Sequence, residues 1–179
     1  QLSYKTSSFA GLVSFLAKPA LMMKRLPLFF FLLLVITGIQ AQDSLPPVQW
    51  TYEGMKLDAG KYQLQLRGVI ADGWKLFSTT AKDDQPNSRV VFDSAVMAYA
   101  GTIRENGNLI QKPEALFDNA VLPYFEKEVT LEIPLAGIAP GTDIKGTLLF
   151  MAMKGEEVIG PEEFPFRLIV DATGAITAK

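Results

Sequence analysis

Apolar and polar residues alternate with a period of two through much of the chain after residue 47. Tyr62, Leu64 and Leu66 fall on one face of 61–67 and Gln63, Gln65 and Arg67 on the other, the pattern of a half-buried strand. Val129, Leu131 and Ile133 repeat it against Thr130 and Glu132. Residues 148–151 are all apolar, which predicts a strand covered on both faces. Further strands are expected at 48–52, 74–78, 89–92, 96–103 and 164–170, where Pro165 points to a sheet edge or a strand start. Turn signals separate them: Asp58-Ala59-Gly60, Ala71-Asp72-Gly73, residues 105–108, residues 139–143 and Gly155-Glu156-Glu157. Residues 79–88 read as a long loop, and 112–123 is the least regular stretch. No window sustains a helical period, and strands recur roughly every 8 to 12 residues. The expectation is an all-β antiparallel sandwich of roughly seven to nine strands in two sheets.

Ahead of that domain lies a different pattern. Lys24 and Arg25 precede an apolar run over 26–36, and Ile39-Gln40-Ala41 ends it on a small residue. This is the order of a secretory signal, expected over 23–41 with cleavage after Ala41. The run is shorter than the ~20 residues a membrane-crossing helix needs, so no membrane span is expected after cleavage. The competing reading is an uncleaved anchor, against which Gly38 and Gln40 argue. A lipid anchor would need a cysteine after the run, and none follows. The chain opens on Gln1 and has a second apolar-rich patch at 9–16, so 1–22 is expected to be an upstream extension, with translation starting at Met22 or Met23. Residues 42–47 read as a tether, 48–171 as one domain and 172–179 as a C-terminal tail. The expected location is periplasmic or secreted.

Composition then removes much of catalysis. With no His and no Cys, a Ser-His-Asp triad, a cysteine nucleophile, a disulfide and a His- or Cys-ligated zinc are all excluded for these residues. A formal charge of −2 offers no basic face for nucleic acid. No cofactor is expected. About 138 residues follow Ala41, enough for a core that needs no disulfide.

The order of strands and punctuation resembles the N-terminal periplasmic domain of DsbD-type thiol:disulfide interchange proteins, over about 48–170. The resemblance rests on Gly73-Trp74-Lys75-Leu76-Phe77-Ser78, on Pro86-Asn87-Ser88 leading into Val90-Val91-Phe92, and on Leu116-Phe117-Asp118, which is similar to an aromatic cap loop. Residues 124–131 and the hairpin over 150–163 continue it. The resemblance implies an immunoglobulin-like fold. It also implies a hairpin carrying two cysteines that pass electrons between a membrane domain and exported partners. Here Met153 and Val158 stand at the positions similar to those cysteines, and Pro161 opens the segment after them. Neither side chain can form the thiolate that attacks a disulfide.

What the resemblance implies is a non-catalytic domain that docks an envelope protein, either thioredoxin-like or a membrane thiol carrier. The surface would lie around 116–119 and 153–162, with Phe117, Met153, Val158 and Pro161 as contacts. The alternative is a module that binds a small molecule or polysaccharide. An enzyme using carboxylates alone would draw on Glu156, Glu157, Glu162 and Glu163. Met151 and Met153, two apart on a strand, could with Met97 offer thioethers to Cu(I), but core packing explains them better. The pairs Asp83-Asp84, Glu156-Glu157 and Glu162-Glu163 lack a calcium-loop ligand ladder and read as solvated loop charge. Trp50 and Trp74 could stack on a ligand, with Trp74 expected in the core.

Overall fold

The structure, a computed structural model, describes residues 46–179, so the expected signal segment, its cleavage at Ala41 and most of the tether lie outside the described residues. Strands form where the sequence alternates. β1 (Val48–Asp58) and β2 (Lys61–Ile70) make a hairpin, and β2 buries Tyr62, Leu64, Leu66 and Ile70 while Arg67 stays outside. Short β3 (Lys75–Phe77) follows, then β4 (Arg89–Phe92). β5 (Arg104–Glu114) and the long β6 (Ala120–Ala136) form a second hairpin. β7 (Asp143–Lys154), β8 (Glu157–Val170) and β9 (Ile176–Ala178) complete the set.

All pairings are antiparallel, and they arrange the strands as an immunoglobulin-like sandwich. One layer runs β1-β2-β6-β5, the other β9-β8-β7-β4. The layers were expected as two sheets, yet they join. Three-residue β3 pairs with β6 through Leu76 and Phe77 and with β7 through Lys75 and Leu76, which makes one nine-stranded sheet. β6 is long enough to pair with β2 over its second half and still meet β3 at Tyr124 and Phe125. The main core fills the space between layers with Leu64, Leu66, Leu131 and Ile133 from one side and Ile144, Leu148 and Leu168 from the other.

Three further expectations are corrected. Residues 96–103 do not form a strand: Val96 and Met97 donate backbone N–H groups to the Asp93 carbonyl in a one-turn helix, α1 (Ser94–Met97), of which Val96 alone is buried. Residues 105–108 do not turn the chain. They lie within β5, where the register shifts between Gly107 and Leu109. Gly107 serves close approach, since a Cβ there would sit 3.0 Å from the Glu128 carbonyl and 3.1 Å from the Phe125 ring. Residues 172–179 carry β9, which pairs with β8 and sets Ile176 where a Cβ on Gly54 would come within 2.7 Å of it. Tyr62 donates to the Gly174 carbonyl at 3.1 Å and ties that segment down.

Candidate functional site: a capped outer face

β3 is apolar on both faces, and each face has its own use. Leu76 points into the main core, whereas Phe77 points outward. The same division runs along its neighbours. Phe125, Phe150 and Ala152 face the main core; Leu122, Tyr124 and Met153 join Phe77 in a second, smaller cluster. Ile110, Ala120 and Met151 border it. The local patch β5-β6-β3-β7-β8 thus has apolar residues above and below. Its outer cluster is not sealed by a second layer of sheet, because among the described residues none lies there.

A loop seals it instead. Between β5 and β6 the chain makes a 3-10 turn (Ala115–Phe117) and then places Asp118 and Asn119 in the left-handed region, at φ 53 and 59. Asp and Asn tolerate that region better than other side chains, which is why this chain can reverse there without glycine. The turn drops Phe117 onto Phe77 edge to face, with ring centroids 5.9 Å apart. Met153 is left only 2% exposed.

The root of the loop is held by charge. Lys75, the cross-strand partner of Met153, ion-pairs with Glu114, the last residue of β5. Its ammonium also lies 4.8 Å from the centre of the Tyr124 ring. Burial works against the Lys75 charge, but the Glu114 hydrogen bond and the nearby Tyr124, Glu114 and Glu126 outweigh it, so its pKa lies above the ordinary lysine value. The Asn119 N–H donates to the Glu114 carbonyl at 3.1 Å, closing the loop on itself.

The residues singled out from the sequence fall here. Met153 and Val158 face each other directly across the β7–β8 hairpin, whose turn at Gly155 has φ 60. Opposed residues in an antiparallel pair have Cα atoms about 4.5–5.5 Å apart, inside the range a disulfide spans, so cysteines at these two positions could bond. Met153 is buried; Val158 beside it is 37% exposed. Phe117 covers the cluster that contains Met153. Pro161 is exposed and stands with Gly160 opposite Met151, where the β7–β8 register slips by one residue. Met151 and Met153 do share a face, but Met97 on α1 is exposed and belongs to neither cluster. Glu162 and Glu163 lie in β8 and not in a loop; Glu156 sits with Gly155 in the hairpin tip, and Glu157 is the first residue of β8, opposite Lys154. Trp50 and Trp74 both pack against the main core.

Sequence reasoning missed Phe77, Leu122, Tyr124, Lys75 and Glu114. The signal was present in residues 121–125, an unbroken Val-Leu-Pro-Tyr-Phe run that, like 148–151, demands cover on both faces.

The end of the molecule that carries this cluster is acidic. Asp72, Asp118, Glu156, Glu157, Glu162 and Glu163 are all exposed on its strands and turns, against Lys112 and Lys154, with Lys75 already paired. A Cβ on Gly73 would lie 3.2 Å from the Lys154 side chain, so the β2–β3 turn and the hairpin tip belong to the same surface. Leu116 and Val121 add exposed apolar side chains beside the loop.

Elsewhere, the outer face of the β1-β2-β6-β5 layer is polar. It carries a hollow of about 480 Å³ lined by Arg67, Asn106, Asn108, Lys127, Glu128 and Thr130, among others. Among the described residues no helix is long and apolar enough to cross a membrane.

No family model matches the sequence, and no curated protein matches it. Solved structures do. The N-terminal periplasmic domain of ScsB from Proteus mirabilis superposes with a TM-score of 0.56 at 15% identity, covering 77% of this chain and 51% of that one. This chain therefore spans about half the length of that structure. The DsbD n-terminal domain of Neisseria meningitidis, in its reduced form, gives a TM-score of 0.48 at 17% identity, covering 78% of this chain and 98% of that one. The resemblance read from residues 73–78, 116–118 and 150–163 thus holds as a likeness of fold: the chain is an immunoglobulin-like sandwich that superposes on about half of the ScsB N-terminal periplasmic domain.

Proposed function

We propose that this chain is an exported docking domain that has the architecture of a thiol:disulfide interchange domain without its redox chemistry. The observation that carries the reading is the directly opposed pair of Met153 and Val158 beneath Phe117. That arrangement would position a disulfide, in the hairpin that resembles a redox hairpin, and it is occupied by two side chains that cannot transfer electrons through a thiolate. What survives such a replacement is a surface. In this reading Leu116, Phe117, Val158 and Pro161 form its centre, and the acidic residues around them form its rim. The partner is an envelope protein of the same pathway, thioredoxin-like or a membrane thiol carrier, with an apolar centre and basic surroundings. The periplasm is the expected location, in keeping with the periplasmic origin of the structural neighbours.

Calorimetric titration with a purified thioredoxin-like protein from the same envelope tests this. Saturable binding that weakens as salt is raised, and that drops at least tenfold on Leu116→Asp, is expected. Binding that ignores Leu116→Asp would remove this surface from the account.

A second reading draws on the polar hollow beside Arg67, whose amides and charges suit a polyhydroxylated ligand better than an apolar one. Thermal-shift screening against soluble glycans separates the two. A glycan that raises Tm in the unaltered protein and not in Arg67→Ala would favour the hollow.

A further inference from the structure

Four methionines lie among the described residues, and they occupy two kinds of place. Met55 and Met97 are exposed, at 36% and 58%, and join neither apolar cluster. Met151 and Met153 lie on the outer face, Met153 sealed within the small cluster and Met151 half-buried at its border, packed against the same cluster as Phe117. The outer cluster is otherwise made of hydrocarbon and aromatic rings: Phe77, Leu122 and Tyr124, with Ile110, Phe117 and Ala120 around them. A thioether suits such surroundings, and a sulfoxide does not.

We propose that Met151 is an oxidation site that controls the cover loop: its conversion to the sulfoxide loosens the Phe117 loop and uncovers Met153. The co-reactant is a two-electron oxidant of the peroxide class. The sulfur lone pair of Met151 attacks one peroxide oxygen, the O–O bond breaks, an S–O bond forms, and the second oxygen leaves as water after taking up the protons. Sulfur is oxidised by two electrons and the peroxide is reduced by two. Met151 is the reactive member of the pair because its side chain is partly open, opposite the irregular Gly160 and Pro161 step of β8.

The consequence follows from the neighbours. The sulfoxide oxygen is a strong acceptor brought to the margin of an apolar cluster, and leaving it without a donor there is costly. The nearest source of hydrogen bonds is the solvent to which Met151 is already partly open, and reaching it turns the side chain outward. That withdraws Met151 from the cluster of Phe77, Leu122, Tyr124 and Met153, against which Phe117 also packs, and so removes part of the support of the cover. The inference concerns the cover and stands whether or not the surface docks a partner.

Hydrogen peroxide titration of the protein tests it, with each methionine followed by peptide mass spectrometry and residues 115–119 followed by amide hydrogen exchange. Met55 and Met97 are expected to oxidise without altering that protection. Oxidation of Met151 should lower it about tenfold, and methionine sulfoxide reductase should restore it. In Met151→Leu, a swap of similar volume that cannot be oxidised, Met153 should oxidise about tenfold more slowly than in the unaltered protein. Met151→Gln, a polar side chain of similar length, should lower the protection with no oxidant present. Equal rates of Met153 oxidation with Met151 or Leu at 151, or unchanged protection once Met151 is oxidised, would overturn the proposal.

Discussion

The main core and the outer cluster share three strands, β3, β6 and β7, yet they are closed in different ways. The main core lies between two layers of sheet, and Leu64, Ile133, Leu148 and Leu168 are fully buried there by strands that are themselves hydrogen-bonded. The outer cluster reaches the same degree of burial, with Leu122, Tyr124, Phe77 and Met153 at 2% or less, but its cover is one loop, one aromatic contact and one ion pair. Opening the first means unfolding the domain. Opening the second means moving residues 115–119. Apolar surface that a loop alone conceals is available to a partner at low cost, and a fold that needed only stability could have left it polar.

That comparison can be broken from either side. Ile133→Ala, in the sealed core, should cost about 2–5 kcal/mol and lower Tm by roughly 10 °C or more. Joining Met153→Cys with Val158→Cys should give a disulfide that forms in air, detected as loss of two titratable thiols, and that adds up to about 2 kcal/mol when oxidised. Failure of the two thiols to pair would undo the register on which the site is built. Phe117→Ala should cost only about 1 kcal/mol of global stability, while amide protection at 115–119 collapses and Met153 becomes accessible to oxidants. A loss as large as that of Ile133→Ala would mean that the cover loop is part of the core.

The smallest effect belongs to the exposed ion pairs. The Arg167 guanidinium grips both oxygens of Asp143 at 2.9 Å, and Lys145 adds a third contact, which together hold the Asp143 pKa at about 2. A carboxylate depressed in this way contributes stability above its unfolded pKa and loses it as pH falls from about 4 through about 2. Asp143→Asn should therefore flatten a small part of the acid limb of the stability curve, measured by denaturant titration between pH 2 and 5. Lys75 behaves oppositely. Its raised pKa makes the clasp with Glu114 fully available, on the lysine side, below the unfolded value of 10.5, and it is lost only as pH rises through the folded value.

Most of the sandwich was legible because alternation reports a face, and β2, the second half of β6 and β7 each have one face or both against the main core. Legibility failed where a residue serves something other than the ladder. Val96 and Met97 look like strand residues, but Asp93 gathers their N–H groups into a turn. Gly107 looks like a turn residue and instead leaves room for Phe125. Ile176 is a lone apolar side chain in a polar stretch, and only the gap over Gly54 explains it. At the site, Phe117, Met153, Val158 and Pro161 could be named because motif order suggested them. The clasp between Lys75 and Glu114 joins strands 39 residues apart in sequence, and no local pattern encodes it.

The central claim is that the covered outer face is a docking surface. NMR titration of the isotopically labelled protein with a thioredoxin-like protein from the same envelope tests it most directly. The account predicts shifts concentrated at 116–119 and 153–162, with little change at Ile133 or Leu64. Shifts confined to the polar face around Arg67 and Lys127, or none at saturating partner, would contradict it.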